Sequence, residues 1–286
     1  MSAEADKVNE VSPRYLEECF AGNRLYGDDF GLELLEEWFA SESGAYQALG
    51  SGSVEAGDSG SYPYHAINRW HGYRHLETSD FKHVVCLGGG DAEEVTGAGI
   101  RAESTTVVEP LIPSIDTLNR DSGTPKINYV KASASGDLKI DDESVDLLTS
   151  FGTLHHIANV SHVLDEVARC LRPGGTMLIR EPIVSMGDWT KPRAGLTSME
   201  RGIPLRLLLA SIERAGLEVS RAAPCMFGPV VRAQGVVRRS LINHRTVVIF
   251  DSLLSRISRW NLHYRSSNVL QKIAPSNIAI VARKPL

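Results

Sequence analysis

Residues 83–110 read HVVCLGGGDAEEVTGAGIRAESTTVVEP. HVVCL is a short continuous apolar run that stops at glycine, the pattern of a strand buried on both faces. It leads directly into Gly88-Gly89-Gly90-Asp91-Ala92. Three glycines at a strand-to-helix turn let a ligand touch the main chain where any Cβ would obstruct it. A second strand, STTVVE (104–109), ends in Glu109, about twenty residues after the glycines. A carboxylate at that place can accept hydrogen bonds from both hydroxyls of a ribose. Glycine turn and carboxylate together predict an adenosine-containing ligand.

Charge separates the candidates for that ligand. A dinucleotide lays its pyrophosphate on the N-terminus of the helix after the turn, but Asp91, Glu93 and Glu94 already place negative charge there. The sixth position of a GxGxxG reading is also Glu93, where close helix packing wants Gly or Ala. S-adenosylmethionine has no phosphate, and its sulfonium and ammonium tolerate acidic neighbours. The acids therefore favour it over NAD.

Outward from this stretch, short apolar runs alternate with helical periodicity, which predicts a parallel sheet flanked by helices. INYV (127–130), SVDLLTSF (144–151) and TMLIRE (176–181) read as the third, fourth and fifth strands. Between the last two lies a helix with Val160, Val163, Leu164, Val167 and Leu171 on one face, ended by Arg172-Pro173-Gly174-Gly175. A helix over 204–215, a sixth strand LEVSRAA (217–223) and a last strand NIAIVAR (277–283) complete the pattern. Before the core, Ser12-Pro13 starts one helix that stops at Gly22, and Asp28 and Asp29 stand where they would cap a second. Gly50 to Ser61 has the composition of a mobile connection. The expected organisation is a helical lid or substrate region over 1–80, a cofactor-binding core over 81–223 with 276–286, and a helical insertion over 224–275 serving substrate or a dimer. In that insertion Phe250, Leu253, Leu254, Ile257, Trp260 and Tyr264 repeat at helical spacing; core or dimer packing is the favoured reading, and a basic amphipathic helix resting on a membrane is the sharper one.

The stretch from His83 to Glu181 resembles the class I S-adenosylmethionine-dependent methyltransferases. VVCLGGGDA is similar to their first motif, VVEP to the second, DESVDLLTSFGTLHHI to the region around strand four, and VLDEVARCLRPGGTMLIREP to the helix, turn and fifth strand that follow. The resemblance covers about a third of the chain. It implies a Rossmann-like seven-stranded α/β sheet with the last strand antiparallel, and S-adenosyl-L-methionine held by Gly88, Gly89, Gly90, Glu109, Pro110, Ser133 and Phe151. Two positions depart from the family pattern: Cys86 stands where an acid is frequent, and Ala92 where a glycine is. Ser133 takes the place of the acid that often holds the adenine amino group, with Asp137 as the alternative register.

Methyl transfer is an in-line displacement on an activated sulfonium, so the protein aligns the acceptor and excludes water, and a hydroxyl acceptor also needs a base. His155 and His156 follow strand four at the sheet edge where ligands bind in open α/β folds, and His155, coming first, is the expected base. Glu181 is the next catalytic candidate. Tyr64, His65, Arg74, Asp188 and Tyr264 are candidates for holding the acceptor, a small molecule or saccharide. No metal site is expected, because the histidines are scattered and adjacent residues on one helix cannot aim both rings alike; a Mg2+ held by carboxylates would leave no signature. SFGTLHH lacks the Pro-Pro of amino-methylating DNA enzymes, and Pro224-Cys225 comes too late for a cytosine nucleophile, which argues against nucleic acid.

The 286 residues carry a net charge of -5 and four separated cysteines, an ordinary composition without a disulfide framework. No apolar run approaches a transmembrane span and no signal-peptide pattern opens the chain, so a cytoplasmic protein is expected; a homo-oligomer is compatible with the composition. Residues 1–60 hold thirteen acids against three Lys/Arg, whereas 221–286 hold eleven Lys/Arg against Asp251 alone. The expected function is that of an O-methyltransferase acting on a small molecule or glycan; a non-catalytic S-adenosylmethionine-binding module and a nucleotide-dependent oxidoreductase are the alternatives.

Overall fold

A computed structural model of the chain describes residues 12–52, 62–111, 127–193, 195–237 and 240–286. Seven strands, β1 (Asp80–Leu87), β2 (Arg101–Glu109), β3 (Ile127–Lys131), β4 (Val145–Phe151), β5 (Leu171–Pro182), β6 (Glu218–Phe227) and β7 (Pro275–Arg283), form one sheet in the order β3-β2-β1-β4-β5-β7-β6. The first five run parallel, and β7 lies antiparallel to both β5 and β6. This is the Rossmann-like sheet with a reversed last strand. The helices among the described residues are α1 (Pro13–Phe20), α2 (Leu32–Gly52), α3 (His65–His71), α4 (Glu93–Thr96), α5 (Val160–Cys170), α6 (Leu205–Arg214), α7 (Gly228–Val237) and α8 (Arg245–Ile257). None is long and apolar enough to cross a membrane.

Alternation along the strands builds a core on each side of the sheet. Val85, Leu87, Leu148, Ile179 and Ile280 pack on one side against Val163, Leu164 and Val167 of α5 and Leu208 and Ile212 of α6. Their neighbours Val84, Cys86, Leu147, Leu178 and Val281 face the other way, onto Tyr73 and Val95. On that second side Ile67 of α3 and Val248 of α8 pack on Ala279 and Cys225. Both faces are covered, which is why these strands read as continuous apolar runs.

The strands extend beyond their apolar runs where polar groups finish the ladder. β1 and β2 begin at Asp80 and Arg101, opposite each other and joined by an ion pair of 2.6 Å. β6 continues through Pro224–Phe227 instead of stopping at Ala223, because the buried Asp251 carboxylate accepts from the amides of Met226 (2.8 Å) and Phe227 (2.7 Å). The segment between the last two strands is therefore 228–274. Arg172–Gly175, expected to end a helix, belong to β5. Gly174, at φ +76°, takes up a register shift: Leu171 pairs with Val145, and Thr176 with Leu147.

Ser12 caps α1 as expected, accepting from the Tyr15 amide at 3.3 Å. Asp28 and Asp29 do not cap α2, which starts three residues later. Asp28 reaches α5 instead, where its carboxylate accepts from the amide and hydroxyl of Ser161 at 2.8 and 2.6 Å. Asp29 accepts from the Tyr15 hydroxyl at 2.7 Å and pairs with Arg24. α2 runs through Gly52, so part of the glycine-serine stretch is helical; 53–61 lie outside the described residues. The apolar stripe of 250–260 lies on the surface: Phe250, Leu253, Ile257 and Trp260 are exposed, and α8 turns Val248, Asp251 and Ser255 inward.

Asp28 thus supplies, from the N-terminal segment, an orphan-amide acceptor for a core helix. Asp28→Ala should cost about 1–2 kcal/mol in urea unfolding, the range for losing an N-terminal cap. Asp29→Ala, at an exposed carboxylate paired with the exposed Arg24, should cost under about 0.5 kcal/mol. Equal effects would show that the Asp28 contact does not tie the two parts together.

Candidate active site

The strand order reverses between β1 and β4, and the cavity lies at their carboxyl ends, as expected for an open α/β sheet. Its wall takes Leu87 and Gly88 after β1, Val108 to Pro110 at the end of β2, Ser133, Gly136 and Asp137 after β3, and Thr153 and His156 to Asn159 after β4. Leu35, Trp38, Phe39, Glu42 and Ser43 of α2 cover it. Gly88 sits at φ +67°, and any Cβ there would overlap the Thr153 hydroxyl, which donates to the Leu87 carbonyl at 2.8 Å. A Cβ on Gly89 would stand 2.5 Å from the Cys86 Cβ. The bare main chain of this turn is therefore required by its packing as well as by its conformation.

Glu109 reaches over the turn and accepts from the Gly90 amide at 2.7 Å. Burial pushes its carboxyl up, and that hydrogen bond opposes the rise. Ser133 and Asp137 both line the cavity, joined through Ser135, so both registers considered for the adenine contact are present. The sequence reading missed Asn159. Its Nδ2 donates to the Ser135 carbonyl, while its buried Oδ1 has no partner among the described residues. An orphan acceptor in the wall beside Ser133 suits an exocyclic amine. Glycine cradle, rim carboxylate and orphan acceptor together fit an adenosine ligand.

The turn after β4, Leu154–His156, is a single 3-10 turn held by one carboxylate. Glu181, fully buried at the end of β5, accepts from the amides of Thr153 and Leu154 at 2.9 Å each and from His155 Nδ1 at 2.8 Å. On the other side of the ring, His155 Nε2 stands 3.6 Å from Glu200. Burial would depress the His155 pKa, but Glu181 and Glu200 outweigh it and raise it. Burial would raise Glu200; His155 and the Thr197 amide hold it down at about 2. His155 lies behind the cavity wall. His156 lines the cavity, and its Nδ1 donates to Glu42 of α2 at 2.7 Å. Glu42 also accepts from Thr197 (2.7 Å) and from the Met199 amide (2.9 Å).

The two imidazoles do come together, contrary to the helical geometry expected of them, with ring centroids 4.1 Å apart. The chain leaves the 3-10 turn into extended backbone at Ile157, and the carboxylates on either side draw the rings close. His155, His156 and Glu200 bring ligand atoms within 4.8 Å of one another, a spacing open to a metal ion. Both Nδ1 atoms are already engaged by carboxylates.

The other sequence candidates are elsewhere. Tyr64 lies under Arg180 (4.5 Å), His65 faces Glu93 (3.9 Å), and Arg74 stacks on Trp70 (3.6 Å). None of these three borders the cavity. Phe151 packs on Tyr73, with centroids 5.7 Å apart. Asp188 and Tyr264 line a second cavity with Arg232, Arg265 and Lys272. The acids after the glycine turn also differ from expectation. α4 is one turn long and points Glu94 inward, where burial raises its pKa to about 7 against a 2.6 Å hydrogen bond from Thr149. Its carboxylate sits beside Cys86, the position where an acid is frequent.

The clamp on His155 has a defined pH signature. A raised imidazole pKa adds stability in full below about pH 6.5, which is lost as pH rises past the raised value. A lowered carboxyl pKa adds stability in full above about pH 4.5, which is lost on acidification. The clamp is therefore strongest between those limits. Glu200→Gln should lower the melting temperature most in that window and flatten its fall on the alkaline side. An unchanged profile of Tm against pH would show that the clamp adds nothing.

Comparison with known proteins agrees with this geometry. Residues 84–179 match the family described as a methyltransferase domain. Phthiotriol/phenolphthiotriol dimycocerosates methyltransferase 1 of Mycobacterium ulcerans (strain Agy99) is 30% identical over 134 residues, 45% of this chain and 49% of that protein. The chain thus matches about half the length of this curated relative. An S-adenosylmethionine dependent methyltransferase from Mesorhizobium loti superposes with a TM-score of 0.51 at 15% identity, covering 76% of this chain and 98% of that one. Phosphoethanolamine N-methyltransferase 2 of Haemonchus contortus, solved with S-adenosyl-L-methionine, gives 0.51 at 15% identity over 77% and 52%. At such identity the structural likenesses speak for the fold alone. Residues 84–179, which carry the glycine turn, Glu109 and the histidine turn, match a methyltransferase domain and are similar to the class I S-adenosylmethionine-dependent methyltransferases.

Proposed function

We propose that the protein methylates a hydroxyl of a small-molecule or saccharide acceptor, with His156 as the general base. The observation that carries this reading is the His156 imidazole on the cavity wall with Nδ1 engaged by Glu42. A carboxylate only accepts, so Nδ1 carries the proton and Nε2 is the basic nitrogen. Glu42 also stabilises the imidazolium formed when the acceptor hydroxyl loses its proton, the role a carboxylate plays behind a histidine base.

S-adenosylmethionine, when bound, supplies a methyl group already activated on a sulfonium. Glu109 would accept from its ribose hydroxyls, the Gly88–Gly90 main chain would lie along it, and Ser133, Asp137 and Asn159 would surround the adenine. Leu35, Trp38 and Phe39 of α2 keep water from the reacting end, where an exposed nucleophile would stay solvated. The region 1–80 thus acts as lid and substrate wall over the core of 81–223 and 276–286, and the 224–275 region adds the second cavity holding Asp188 and Tyr264.

Turnover should be measured with radiolabelled S-adenosylmethionine against hydroxylated glycosides, phenols and, as controls, amines. His156→Ala should slow it about a hundredfold to ten-thousandfold with cofactor affinity retained. Undiminished turnover in that variant would remove His156 as base, and methylation of amines alone would overturn the hydroxyl assignment. Binding without transfer to any acceptor would leave a non-catalytic module.

Glu109→Ala should weaken cofactor binding about tenfold to 150-fold for each ribose hydrogen bond lost, read by calorimetry. An unchanged dissociation constant would take Glu109 out of the site, and preference for NAD would favour the oxidoreductase.

A further inference from the structure

Apart from Leu32, Leu111 and Leu286, every exposed large hydrophobic side chain among the described residues lies between Val236 and Ile273. α8 organises them. At 100° per residue, Phe250, Leu253 and Ile257 point away from the side that buries Val248, Asp251 and Ser255. Phe250 is 65% exposed and Ile257 60%. Trp260, 80% exposed, continues the stripe beyond the helix. Asn261 then joins a second apolar turn to it, donating to the carbonyls of Leu270 (2.8 Å) and Ile273 (3.1 Å). Leu270 is 73% exposed. A patch of this extent is beyond the scattered apolar residues of ordinary surfaces.

Its charge is one-sided. Arg245, Arg256, Arg259 and Lys272 are exposed around it. Asp251, the one acid between 221 and 286, is buried and spent on the amides of Met226 and Phe227. The described residues of 221–286 therefore give this surface apolar groups and cations and no exposed acidic side chain.

We propose that this face docks on an anionic lipid bilayer, with α8 lying in the plane of the interface. Phe250, Leu253 and Ile257 would enter the acyl boundary, Trp260 would sit at headgroup depth, and the arginines would meet lipid phosphates. A second copy is a poorer occupant. A two-fold interface sets a patch against itself, which would bring Arg256 and Arg259 onto their own counterparts with no carboxylate to neutralise them. The proposal concerns where the protein works and is independent of the acceptor's chemistry.

The test is co-sedimentation of the full chain with vesicles of phosphatidylcholine, alone or mixed with phosphatidylglycerol, together with light scattering in the absence of lipid. Binding should require phosphatidylglycerol and weaken with salt. The triple variant Phe250→Ser, Leu253→Ser, Ile257→Ser should abolish it with melting temperature and S-adenosylmethionine affinity unchanged, since these side chains are exposed. Arg256→Gln and Arg259→Gln should each weaken it roughly fivefold. No vesicle binding, equal binding to neutral vesicles, or a lipid-free dimer that the triple variant dissociates would overturn the proposal.

Discussion

One buried carboxylate organises the edge of the sheet where the cavity lies. Glu181 has no access to water, and its oxygens are taken by two main-chain amides of the 153–155 turn and by His155. An ionised group at such depth is tolerable only when hydrogen bonds replace its hydration. The turn therefore has little freedom to move independently of β5. From that fixed turn, Thr153 packs into the space that a side chain on Gly88 would need, and His156 reaches the cavity. The cofactor cradle and the proposed base are positioned by the same bond set. Removing Glu181 would act on both at once without touching either ligand.

The N-terminal segment completes the site through a chain of polar groups that each need the next. Arg201, fully buried, donates to the carbonyls of Tyr26, His155 and Ala158, and so ties the segment before α2 to both ends of the histidine turn. Trp38 donates to the His156 carbonyl at 2.7 Å, and Glu42, one turn further along α2, meets the His156 ring. A guanidinium suits this place because its fixed fork serves three carbonyls together. The acidic bias of the first sixty residues is thus partly structural: Asp28 and Glu42 are acids that face the core. At the other end Arg283 and Lys284 pair with Glu77 and Glu143, whereas Arg245, Arg256, Arg259 and Lys272 stay exposed around α8.

In the cluster of Glu42, His155, His156, Glu181 and Glu200, the charge of Glu181 and Glu200 is balanced at His155. A raised His155 pKa and a Glu200 pKa near 2 are two expressions of that balance. It divides the histidines by role: His155, between two carboxylates behind the wall, holds structure, and His156, on the wall, is the proposed base. Neighbours in sequence, they differ because one side of the turn faces β5 and the other faces α2.

The order of elements was legible in the sequence because buried parallel strands and amphipathic helices leave strong periodic signals. VVCLGGG, Glu109 and the alternation from His83 to Arg283 were enough for a seven-stranded sheet and an adenosine ligand, since local conformation and one short spacing determine both. What the sequence did not show comes from contacts between residues far apart in the chain. Asp28 looks like a cap for its own helix and serves α5. The pairing of His156 with Glu42 spans more than a hundred residues, and Asn159 gains meaning only from an oxygen left without a partner. The stripe of 250–260 has the same period whether it faces a core or solvent. Periodicity defines a helix face, but what covers that face depends on every other element competing for the same surface; here Val248, Asp251 and Ser255 took the buried side.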